Sequence, residues 1–478
     1  MIAIQNTSPT STNILQIVDA YYDIRFRYNS PNTGPAYSIA GYSGNMPLTI
    51  QNMPVELSGA VYGSGDGSLA TISYAQEQTS GTVGGLNGPS SSIYTTRNQS
   101  YVFATSLASH VLTVVDRSST SAGSYPLSAS EPLYRVSVNP GGSAALVFAQ
   151  NSDHVYYPLK LTAAQRTAYA GGPSKWPLGA VDCEPQNEPG WCLFEALDPA
   201  STPANIIPLT FNRPVKAVFS ADGGTAYVLN CGPECGGTNG TNPTAAPLSN
   251  ASVSLLPVAP MIYLIGQQSG TLPKQSDLST NCATAVGSTS GCTIPVPSGA
   301  SNALIDSSTM YVVGQKQMSD FCGSSSSLCW GGYLTMVNLS NNTVVPSTGT
   351  VPNPVSISDG APGAMSRMLL ADDNTLWIGM TKCTNGERAN NSLPYGCLTM
   401  FNTSTNTVTM LEPYEGGDAT GIAAVTGLHK IYTAEGGQVY IYSTVNGTAI
   451  DNQYVMVTGT AIDVAYMDAD SDGDNTVY

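Results

Sequence analysis

Residues 215–230 read VKAVFSADGGTAYVLN. Two runs of alternating β-branched and aromatic residues flank an Asp222-Gly223-Gly224 turn, which is the pattern of an antiparallel hairpin. The same form returns as YRVSVNPGGSAALVFAQ at 134–150, ALIDSSTMYVVG at 303–314, MSRMLLADDNTLWIGM at 365–380 and GIAAVTGLHKIYTAE at 421–435. After a variable excursion a further alternating strand follows, as in HVLTVVDRSS at 110–119, GGYLTMVNLSNNTVV at 331–345, GCLTMFNTSTNTVTML at 396–411 and GQVYIYSTVNG at 437–447. Units of three or four strands cannot bury both faces alone. Standing them around a common axis buries each against its neighbours and leaves short edges. The expectation is therefore an all-β chain, a single β-propeller domain over 1–478. With 48 Gly, 32 Pro and no long 3.6-residue period, a helical bundle is excluded.

The chain ends carry a second signal. AIDVAYMDADSDGDNTVY at 461–478 repeats the strand, Asp/Gly turn, strand form and stops where a third strand is due. IAIQNTSPTSTNILQIVD at 2–19 reads as the missing continuation. The expectation is one blade closed by N- and C-terminal strands together, which would tie both ends into the ring. The region 20–90 is weakly periodic. Merging it with 88–119 gives seven blades, and counting it separately gives eight; seven is preferred.

Ten cysteines fall in order as Cys183/Cys192, Cys231/Cys235, Cys282/Cys292, Cys322/Cys329 and Cys383/Cys397, each pair bracketing a short Gly/Ser/Asn/Pro-rich loop. Proximity pairs them as five loop staples of an oxidising compartment. Metal or redox sites are the rival, weakened because no CxxC is present and no histidine lies near any pair. The apolar fraction of 41% suffices for a sizeable core, and 16 basic against 32 acidic residues give a net charge of -16. Without basic clusters a nucleic-acid groove is excluded, and an anionic membrane surface would repel the chain. No run of 18 apolar residues is present, so no membrane-spanning helix is expected. The opening MIAIQNTSPTST has neither a basic region nor a long apolar segment, so any export signal lies outside the given sequence.

Several groups invite a chemical reading. Asp468, Asp470, Asp472 and Asp474 have the spacing of the first half of a calcium loop, but the Glu usual at position 12 would fall beyond Tyr478. Calcium would then need another carboxylate, and the plainer alternative is a solvated turn like SADGG at 220–224 or ADDN at 371–374. His110, His154 and His429 show no HxH or HExxH spacing and read as strand or loop residues rather than ligands or bases. Asp182, Glu184, Glu188, Glu195 and Asp198 concentrate around the 183–192 staple; a two-carboxylate hydrolase is set there against an exposed loop. Trp176, Trp191 and Trp330 lie near stapled loops, as a contact surface or as packing over blade edges. The sequons Asn98-Gln99-Ser100 and Asn402-Thr403-Ser404 are expected by chance in so Asn-, Ser- and Thr-rich a chain. No GxSxG elbow, P-loop, dinucleotide fingerprint or CxxCH haem motif is present.

TAYVLN, MYVVG and YVFAT, each preceding a strand ending in TMVN or TVVD, resemble the YVTN-type β-propeller repeat proteins, a group similar to bacterial and archaeal surface-layer and periplasmic propellers. The closest tetrapeptide is Tyr227-Val228-Leu229-Asn230. The likeness covers most of 88–478 and is weakest at 150–214 and in the N-terminal portion. It implies a propeller at the cell envelope and carries no catalytic information. The leading functional expectation is a non-enzymatic, extracytoplasmic binding or scaffold protein, meeting a protein or glycan at its loop face. The alternatives are a lactonase or glycan-active hydrolase with carboxylates converging at a channel mouth, and a self-assembling surface-layer or filament subunit.

Overall fold

The 215–230 hairpin forms as its residues dictate. In a computed structural model of the chain, Pro214–Phe219 pairs antiparallel with Thr225–Asn230, Phe219 opposite Ala226 and Lys216 opposite Leu229. Ser220 and Asp222 fasten the turn. The Ser220 hydroxyl donates to Asp222 Oδ1 at 2.5 Å and accepts from Thr225 N at 2.9 Å, while Gly224 N donates to the same Asp222 oxygen at 2.9 Å. Gly223 takes φ +71, which a side chain would resist. These donors hold the Asp222 carboxyl below its usual range, the Ser220 hydroxyl contributing most.

The structure describes the strands between residues 2 and 95 and, with their turns, residues 101–116, 123–177, 179–186, 189–196, 211–237, 251–258, 293–318, 329–348, 351–357, 365–383, 395–411, 419–425, 427–455 and 460–466. The described strands sort into eight separate antiparallel sheets. One joins the two ends of the chain. The others span residues 36–83, 92–128, 133–195, 214–295, 302–356, 365–411 and 419–455 and are named here by those spans. Most run as meanders, each strand beside its sequence neighbours. The 133–195 sheet departs from this: Trp191–Glu195 inserts between Val155–Lys160 and Ala180–Glu184.

The expected closed ring of seven blades is corrected. Among the described residues the sheets number eight, each a separate open one, with no strand pairing that curls a sheet onto itself or joins it to another. The miscount has a local cause. Residues 36–83 supply a whole sheet from strands such as Val61–Ser64 and Gln78–Val83, whose Gly and Ser residues dilute the alternation that marks strands elsewhere. In the terminal sheet the order is Ile24–Asn29, Ile14–Asp19, Ile2–Thr7, Thr460–Tyr466. Ile2 stands opposite Tyr466 and Ile4 opposite Val464. Among the described residues this sheet takes three strands from the start of the chain and one from its end, where two final strands were expected. Residues 467–478 lie outside the described residues.

The chain forms two compact units: residues 1–84, 313–334 and 347–478, and residues 85–312 and 335–346. In the second, Phe103, Phe148, Trp191 and Phe194 are fully buried in one cluster that the 92–128, 133–195 and 214–295 sheets share. Each such side chain contributes about 1.5–3 kcal/mol by leaving water. Polar contacts add register: Tyr134 OH donates to Val215 O at 3.0 Å, and Ala217 N donates to Ser137 Oγ at 3.0 Å. A short helix, Ala163–Tyr169, opens on a reciprocal cap between Thr162 and Gln165. In the first unit, Trp377, Leu398 and Met400 pack with Ile431 and Tyr442 of the next sheet, and Val439 and Val455 pack with Ala461 and Val464.

Two of the five cysteine pairs lie among the described side chains. Cys183 and Cys192 stand directly opposite on paired strands and are bonded, as are Cys231 and Cys235. Cys282, Cys292 and Cys322, and the side chains of Cys329, Cys383 and Cys397, fall outside the described residues. Replacing Cys183 and Cys192 together by alanine is expected to lower stability by about 2 kcal/mol, as loss of a short-loop constraint does. Urea unfolding of the double variant, compared with wild type under non-reducing conditions, measures it.

Candidate functional site

One end of the 133–195 sheet gathers titratable side chains. Glu131 precedes the strand Leu133–Val138. Ser152, Asp153 and His154 form the turn before Val155–Lys160, Tyr156 is the second residue of that strand, and Glu195 closes Trp191–Glu195. The ladder puts Tyr156 opposite Glu195. His154 therefore sits between two carboxylates, its Nδ1 3.1 Å from Glu195 Oε1 and 3.6 Å from Glu131 Oε1. The other Glu131 oxygen accepts the Ser152 hydroxyl at 2.5 Å and the Tyr156 hydroxyl at 2.7 Å, and His154 N donates to Ser152 Oγ at 3.0 Å. The His154, Glu131 and Glu195 side chains are 32%, 27% and 18% exposed, so the group is reachable from solvent.

Burial pushes the Glu195 carboxyl above its usual range; His154 opposes this, and the neighbouring Glu131 charge adds to it. The Tyr156 hydroxyl is pushed far above the ordinary phenol range, first by burial and then by its bond to Glu131. It remains a donor at any physiological pH. Among the described residues no group of three or more His, Cys, Asp or Glu side chains is arranged to hold a metal ion.

Other polar pairs fasten one sheet to the next. Asp153 accepts from Arg213 N at 3.0 Å and Arg213 Nη1 at 3.1 Å. In the first unit Asp372 accepts from Gly427 N and His429 N at 2.8 and 3.1 Å, while Asp373 binds His429 Nδ1 at 2.9 Å and the Thr444 hydroxyl at 2.6 Å. Arg367 Nη2 lies 2.9 Å from Asp463 Oδ2. The Glu131–His154–Glu195 group differs in that all its partners belong to one sheet.

The His429 clasp has a readable titration. The hydrogen bond and charge of Asp373 raise the His429 pKa above 6.5. The Thr444 hydroxyl, followed by His429, lowers that of Asp373 below 3.8. A raised histidine stabilises below its unfolded value and loses this as pH climbs through the folded one; a lowered aspartate stabilises above its unfolded value and loses this as pH falls through the folded one. The clasp is thus complete between the two unfolded values. Asp373→Asn is expected to move the His429 midpoint down toward 6.5, read from its ring proton by NMR; an unmoved midpoint counts against the pairing.

The residues singled out from sequence distribute as follows. Asp468, Asp470, Asp472 and Asp474 lie outside the described residues, as do Glu188, Asp198, Asn98 and the Trp330 side chain. His154 and Glu195 come together. Glu131 was not singled out; its only sequence signal is a carboxylate just before a strand. Asp182 accepts from Ser128 N at 2.6 Å, fastening the end of Gly123–Ser128 to the middle of Ala180–Glu184. Glu184 stands at the start of the staple, its carboxyl raised by burial and then by Asp182. His110 sits in a tight turn at φ 58. Trp191 is buried against Tyr101, and Trp176 packs on the same core, so both stabilise packing rather than form a contact surface. Asn402 Oδ1 accepts from Ser404 N and Thr405 N, closing a turn.

No known family model and no curated protein matches the chain. Similar solved structures include a dihydro-heme d1 dehydrogenase, NirN, in complex with DHE, at TM-score 0.52 and 9% identity over 98% of this chain and 74% of that one. Apo AztD from Citrobacter koseri aligns at TM-score 0.46 and 11% identity over 97% and 96% of the two chains. The β-propeller domain of Myceliophteria thermophila Cps50 aligns at TM-score 0.39 and 8% identity over 82% and 94%. The chain has an all-β, propeller-like fold. At these identities the likeness extends to fold alone, and nothing in it singles out the YVTN-type or surface-layer group.

Proposed function

We propose that the protein is an extracytoplasmic binding scaffold of the cell envelope, contacting its partner, a glycan, at the Glu131–His154–Glu195 end of the 133–195 sheet. The observation that carries this reading is the shared nitrogen. A two-carboxylate hydrolase keeps its acids on either side of a gap that admits the scissile bond. Here the imidazole of His154 stands between them, and one Glu131 oxygen is taken up by two hydroxyls. Beyond these contacts the group offers a partner Glu195 Oε2 and His154 Nε2, a carboxylate oxygen beside an imidazole nitrogen, which suits hydroxyl-rich ligands. Disulfides in short loops support an oxidising location.

Saturable binding to polysaccharide purified from the envelope of the source organism is expected, weakened about tenfold by Glu195→Gln, a loss of one charged hydrogen bond. Chromogenic glycosides and lactones are expected to hydrolyse at the buffer rate. Turnover that Glu195→Gln abolishes, or binding that Glu195→Gln leaves unchanged, overturns the reading.

A further inference from the structure

Where the 92–128 and 133–195 sheets meet, two cross-strand pairs face each other. Asp116, the last residue of Val111–Asp116, stands opposite Tyr101. Lys160, the last residue of Val155–Lys160, stands opposite Trp191. The rings of Tyr101 and Trp191 meet edge to face with centres 5.4 Å apart. Lys160 Nζ lies 2.9 Å from Asp116 Oδ2, 3.3 Å from the Tyr101 hydroxyl and 5.3 Å from the Tyr101 ring centre. Asp116 and Trp191 are 0% exposed and Tyr101 1%.

We propose that Lys160 and Asp116 are joined by an intramolecular amide bond that ties these two sheets together. The bond Nζ–Cγ forms and the bond Cγ–Oδ2 breaks. The ammonium loses two protons, both leaving with Oδ2 as water. The positive and negative charges cancel, and nothing is oxidised or reduced. No co-reactant is required.

Three features of the site favour condensation. In water the ions are better solvated than the amide, which holds amine and carboxylate apart; a fully buried carboxylate has lost that solvation. The two reacting groups are held in contact by rigid strands, so the encounter costs no further entropy. The Tyr101 hydroxyl accepts a hydrogen bond from Nζ at 3.3 Å and so helps to hold the nitrogen beside the Asp116 carboxyl. Among the described ion pairs, those at Asp153 and Asp463 use arginine, whose delocalised guanidinium is a poor nucleophile. The Lys160 pair joins a lysine to a fully buried acid.

The test is mass spectrometry of the full chain, denatured and fully reduced. The expected mass is lighter than the sequence by one water. In a tryptic digest, residues 98–117 are expected to appear joined to residues 136–166, with no cleavage after Lys160. Lys160→Arg is expected to restore the sequence mass and free the 98–117 peptide. If that variant does not fold, the wild-type digest decides alone. An intact chain at the sequence mass, a free 136–160 peptide, or a lost water mapped to any other residue overturns the proposal.

Discussion

A Trp377→Ala chain is expected to lose about 3–5 kcal/mol of stability, the range for removing a large aromatic from a packed core. Trp377 is fully buried, and the cluster around it draws on two sheets, with Leu398 and Met400 from its own and Ile431 and Tyr442 from the next. Its ring lies 6.1 Å from that of Tyr442. Alanine would leave a void that neither sheet can close without giving up its own ladder. A polar cost adds to it: Trp377 Nε1 donates to Thr375 Oγ1 at 2.9 Å, and that hydroxyl donates onward to Asp372 O at 2.7 Å. Asp372 in turn holds the Gly427–His429 turn of the neighbouring sheet. Urea unfolding measures the effect as a lowered midpoint with an unchanged slope. A loss below about 1 kcal/mol, ordinary for surface positions, would mean that the two sheets do not share this cluster.

Gly421→Val is expected to destabilise by about 1–3 kcal/mol, the usual cost of overpacking. A Cβ at Gly421 would lie 2.6 Å from Val464 N, 2.7 Å from Asp463 Oδ1 and 2.9 Å from Asp463 Cα. Two of these atoms are backbone and cannot swing aside. They belong to Thr460–Tyr466, the strand that pairs with the start of the chain. The same displacement would disturb Asp463 at Arg367 and Val464 in its buried cluster. Hydrogen exchange is expected to quicken in residues 2–7 and 460–466 along with the fall in melting temperature. Gly141→Ala provides the contrast, since its new methyl would meet only Ser143 Oγ at 3.9 Å; it is expected to stay within about 0.5 kcal/mol of wild type. Equal losses for both would show that the close approach at Gly421 is absent.

Glycine illustrates how unevenly the sequence speaks. Gly223 is legible as a turn residue, because a following Gly and a preceding Asp mark a tight hairpin and the chain there needs a positive φ. Gly421 sits inside an alternating strand, and nothing beside it in sequence tells of the later strand, Thr460–Tyr466, that passes over it. The site divides in the same way. His154 and Glu195 were visible as residues of interest, yet their pairing requires Trp191–Glu195 to insert between two earlier strands, and the ladder order of that sheet is not a local property. Glu131 reaches the group from across the sheet.

By itself the sequence determined the strongly alternating strands, their hairpin turns, the exclusion of helical bundles and the adjacency of the Cys183/Cys192 and Cys231/Cys235 pairs. Each depends on residues a few positions apart, through side-chain alternation, turn chemistry or short loops. Tertiary structure alone decided that the described strands form eight open sheets rather than a ring of seven, that two carboxylates share His154, and that Lys160 meets Asp116. Those outcomes depend on how faces of separate sheets come together. Stacking free energy comes mostly from burying apolar surface, which favours contact without specifying which distant polar residues that contact will bring within bonding distance.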